Sequence, residues 1–105
     1  MATPDLAELM KHQERCAKLL QASAPDSAEF IAYHKLSQVF EQHQTGEPND
    51  RFTQISLSLR AIANDIKAVP LAPPELRART ARAREIAMKF VEDVKRDVGQ
   101  TRLFS

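Results

Sequence analysis

A chain of 105 residues that is 43% hydrophobic and 28% charged has the size and balance to fold around one core, which excludes disorder along its whole length and leaves no room for a second domain. Fifteen basic and 14 acidic side chains give a formal net charge of +1, so no overall field draws the protein to nucleic acid or an anionic membrane, and any such attraction must be local. Cys16 is the single cysteine, which excludes an internal disulfide and a multi-cysteine zinc site; with no signal-like start and no run of roughly 18 apolar residues, a cytoplasmic protein is expected.

Prolines and the two glycines, Gly46 and Gly99, divide the sequence into four segments. The first opens on Thr3 as N-cap and Pro4 as first helical residue, and Leu6, Leu9, Met10, Cys16, Ala17 and Leu20 then share one helical face, so a helix is predicted from about Pro4 to Ala22. The second begins at Asp26, whose side chain and that of Glu29 form a capping box, and Gly46 is its natural stop. Phe30, Tyr33, Leu36 and Phe40 line one face of this helix while Ile31 and Val39 point away from it, an apolar arc wide enough to touch more than one neighbour.

The third segment follows Pro48, with Asn49 or Asp50 as cap. Phe52, Ile55, Leu59, Ile62, Ile66 and Val69 fall at spacings of three and four, the stripe of a helix packed against near-parallel partners, and Pro70 ends it. The proline-rich VPLAPP then stiffens the connection to a fourth helix running from Glu75 to about Val98, where Gly99 is the C-terminal cap. Its inward series Leu76, Thr80, Ala83, Ala87, Phe90 and Val94 is small in the first half and large in the second, which lets the first half approach a neighbour closely. Four amphipathic helices on short connections predict an all-α, single-domain, up-down-up-down four-helix bundle over residues 1–99, with 100–105 as a short flexible C-terminal tail.

Few residues suggest chemistry. The stretch AYHKLSQ around His34 resembles a phosphotransfer helix only in fold context and in that one histidine, since Ser37 and Gln38 stand where that family has a lysine and a glycine, and His34 reads as a partly exposed helical histidine beside the core. His12, His34 and His43 lack the i, i+4 or Glu-x-x-His pairing of a bundle metal site, and no nucleophile stands at a recognisable spacing from a base. Cys16 falls on the apolar arc of the first helix and reads as a small core residue. No catalytic residue, metal or cofactor is therefore expected.

Binding features are easier to name. Arg77, Arg79, Arg82 and Arg84 form the densest basic cluster and allow a nucleic-acid reading, although about 100° per residue spreads them over both flanks of the buried stripe. Ile31, Val39 and the outward Leu57 do not fit a closed four-helix core and mark a possible homodimer face. Finally, Gln100-Thr101-Arg102-Leu103-Phe104 resembles the short peptide with which many bacterial replication and repair proteins bind the DNA sliding clamp. Gln100, Leu103 and Phe104 match that pattern, while Thr101 stands where leucine is common. The resemblance implies that Leu103 and Phe104 fill an apolar pocket and that Gln100 hydrogen-bonds a polar shelf. The expected function is thus a small non-catalytic adaptor or regulator, with the clamp as its most specific partner.

Overall fold

The computed structural model describes residues 4–98, which form four α-helices: α1 (Pro4–Gln21), α2 (Ala28–Gln42), α3 (Pro48–Asp65) and α4 (Pro74–Val98). They pack as a four-helix bundle around one buried cluster. α1 runs antiparallel to α4, since His12 pairs with Asp97 and, one turn on, Arg15 pairs with Asp93.

The wide apolar arc of α2 has a simple cause: this helix touches all three others, and its contact with α4 is the most extensive in the molecule. Tyr33 and Phe90 meet edge to face, with ring centroids 6.3 Å apart. Ahead of them in sequence lie Ala28 and Ala32 on α2 and Ala83 and Ala87 on α4, all buried. Alanines on both sides let the two backbones approach closely, as the taper of α4 predicts.

Val39 is accordingly only 3% exposed and belongs to the monomer core, and Ile31 is half-buried against it. Of the predicted dimer face, Leu57 alone stands out in solvent, at 50% exposure.

The helix ends differ from expectation in four places. α2 is capped by Ser27 and not by Asp26: the Ser27 Oγ accepts from the Phe30 amide at 3.1 Å, the ordinary N-cap hydrogen bond. The same helix ends at Gln42, before Gly46, which instead turns the α2–α3 connection at φ 105°, a conformation open to glycine at no steric cost. α3 takes Glu47 as its N-cap residue with Pro48 in the first turn, where the missing proline amide is no loss.

α3 also stops at Asp65, one turn short of the predicted end. Arg84 donates to the Asn64 carbonyl at 2.9 Å, so a guanidinium takes the place of the next helical amide and satisfies an orphan carbonyl at the negative end of the helix dipole. Ile66 still reaches the core from extended backbone, but Val69, the last residue of the predicted stripe, is 60% exposed.

Candidate functional site

The feature that the apolar pattern concealed is a polar network inside the α1–α4 seam. His12 lies on the inward stripe of α1, three residues after Leu9 and four before Cys16, and is only 6% exposed. Arg15 Nε donates to His12 Nδ1 at 3.2 Å, and His12 Nε2 lies 3.0 Å from Asp97 Oδ2. A guanidinium can only donate, so Nδ1 accepts and the ring proton sits on Nε2, directed at the carboxylate.

The same arginine lies 4.3 Å above the Phe90 ring and 3.8 Å from Asp93. Arg96 pairs with both Asp93 and Asp97 on the outside. Burial, and after it the Arg15 charge, pushes the His12 pKa below its ordinary value against the pull of Asp97. Partial desolvation of the Asp97 carboxyl is outweighed by the hydrogen bonds and charges of Arg96 and His12, which hold it below the usual carboxylate value.

These groups occupy one another. Both ring nitrogens of His12 are engaged, leaving no free base, and the nearest thiol is inert: Cys16 is fully buried, donates to the Tyr33 carbonyl at 3.4 Å, and is pushed up to about 12 by burial despite the Arg15 charge. A thiol at that value is almost wholly protonated at neutral pH. The network therefore acts as an electrostatic clasp between the middle of α1 and the last turn of α4. The sequence signal for it was present in the i, i+3 pair His12 and Arg15 opposite the i, i+4 pair Asp93 and Asp97, but nothing local reveals that the two helices face each other there.

Beside the clasp, α1, α2 and α4 enclose a cleft of about 460 Å³ whose wall includes Leu19, Tyr33, Ile86 and Phe90 and whose rim carries Arg15, Arg82 and Lys89 among Glu29, Glu85 and Asp93. Among the described residues no group of three histidine, cysteine or carboxylate side chains could hold a metal ion, and no helix is long and apolar enough to cross a membrane.

The four arginines in the first half of α4 divide. Arg84 is drawn onto Asn64, and Arg77 donates to the Pro70 carbonyl at 3.4 Å, so both guanidiniums bind backbone. Arg82 pairs with Glu85 in the exposed face, and Arg79 is half-buried. His34 is exposed and stacks on Phe30, with ring centroids 5.4 Å apart. Gln100, Leu103 and Phe104 lie outside the described residues.

Leu76 and Thr80, predicted to face inward, are 39% exposed and half-buried, respectively. By the register of the α1–α4 and α2–α4 contacts, the first two turns of α4 extend past the end of α1 and the start of α2. The buried series begins in earnest at Ala83. No known protein family, no curated protein and no solved structure matches this chain.

Proposed function

We propose that this protein is a non-catalytic interaction module that engages a bacterial DNA sliding clamp through Gln100, Leu103 and Phe104. The observation that carries this reading is the order Gln-x-x-Leu-Phe placed directly after α4. The clasp supports it: the last turn of α4 is tied to α1 through Asp97 and Asp93, so α4 ends at a fixed point on a packed bundle. A motif of this kind gains most of its affinity from one or two apolar anchors, here Leu103 and Phe104. On this reading the protein works in the cytoplasm beside the replication machinery.

The test is fluorescence anisotropy of the full-length chain, labelled at its amino terminus, against a purified bacterial clamp. Binding with a dissociation constant of roughly 1–10 μM, about −7 to −8 kcal/mol, and its loss in Phe104→Ala support the reading. No binding at about a hundredfold higher clamp concentration sinks it.

A further inference from the structure

Three of the four large apolar side chains that stand exposed among the described residues, Val69, Leu71 and Leu76, fall within eight positions of one another at the α3–α4 end. Leu71 is 98% exposed. The connection that carries it is held in shape by the Ala72 amide bonded to the Val69 carbonyl at 3.0 Å and by Arg77 reaching back to the Pro70 carbonyl. Prolines at 70, 73 and 74 restrict it further. An apolar side chain displayed on a braced turn loses little freedom when a partner covers it.

The charge around it is net positive. Residues 65–85 hold five basic side chains, Lys67, Arg77, Arg79, Arg82 and Arg84, against Asp65, Glu75 and Glu85, a net +2 in a chain whose total is +1, so the remainder carries −1. Two classes of partner meet positive charge: nucleic acid and acidic protein. The patch favours protein, because its exposed centre is aliphatic and holds no aromatic ring on which a base could stack, and because Arg77 and Arg84 are turned onto backbone carbonyls.

We infer that the α3–α4 turn and the projecting first turns of α4 form a docking surface for an acidic amphipathic segment of another protein. Leucine-like side chains of that segment cover Leu71, Val69 and Leu76 while its carboxylates meet Lys67 and Arg79. This surface lies at the opposite end of α4 from Val98, and its use does not depend on the clamp reading.

The experiment titrates the isotope-labelled full-length protein with a synthetic helix-forming peptide of leucine and glutamate at amphipathic spacing. Parallel titrations use the same peptide with lysine for glutamate and a single-stranded DNA oligonucleotide. The expected result is amide shifts confined to residues 66–82 with the acidic peptide, a Leu71→Asp variant weakening that binding at least tenfold, and little response to the basic peptide or the DNA. Leu71 has almost no contact to lose, so the thermal unfolding midpoint of Leu71→Asp matches wild type and confirms that the fold is intact. Absence of shifts at millimolar acidic peptide overturns the inference, as does binding indifferent to Leu71→Asp, or a DNA response equal to or stronger than the peptide's.

Discussion

A histidine on an apolar helical stripe is tolerated inside a bundle when both ring nitrogens have partners, and His12 meets that condition through Arg15 and Asp97. Its pKa is lowered in the folded chain, so the unfolded chain takes up the proton first as pH falls. Stability is therefore present above the ordinary histidine value of 6.5 and is lost from there down toward the lowered value. Asp97, also lowered, acts in the same direction but only in the more acidic range, as pH falls through the carboxylate region. The urea midpoint should drop between about pH 7.5 and about pH 5, and His12→Gln should flatten that limb; an unchanged slope in the variant would contradict the role given to His12. Cys16 offers a second check at this scale. Buried and pushed up to about 12, it should resist iodoacetamide in the native protein and react promptly in denaturant, as mass spectrometry can follow.

Between α2 and α4 the seam is made of alanines, and its tightness can be measured. Ala87→Leu adds three carbon atoms where there is no room and should cost about 1–3 kcal/mol or more, while Ala81→Leu, on the exposed side of the same helix, should be silent. Ser27→Ala removes the N-cap hydrogen bond of α2 and should cost about 1 kcal/mol, whereas Asp26→Ala should have no more than a small effect; chemical denaturation separates the two. These elements also mark what the sequence made legible. The four helices followed from period and punctuation, because apolar residues recurring at three and four and prolines at helix starts act locally. The cap of α2 falls one residue later than expected, because Asp26 and Ser27 are both good caps and the Ser27 side chain makes the bond. The early end of α3 depended on Arg84, twenty positions away, a long-range contact that no local pattern carries. The outward tilt of Leu76 had the same kind of cause, the extension of α4 beyond its neighbours. Val39 does not fit a closed core in which each helix faces two neighbours, but α2 faces three and buries it.

Across the whole molecule, α4 sets the geometry of the proposed function. At about 1.5 Å per residue, its 25 residues span roughly 37 Å, longer than any other helix, and its two ends differ in kind. One end is clasped to α1 and leads into the Gln-x-x-Leu-Phe segment; the other projects, carries excess positive charge and displays Leu71. Such a rod suits an adaptor that holds two partners apart, with each end separable by mutation. The clasp should matter to the first end only. The most direct measurement passes wild type, Phe104→Ala and Leu71→Asp forms of the full-length chain over immobilised bacterial sliding clamp by surface plasmon resonance. The account predicts micromolar binding for wild type and Leu71→Asp alike and none for Phe104→Ala; a wild-type chain that fails to bind, or a Phe104→Ala chain that binds as well as wild type, would contradict it.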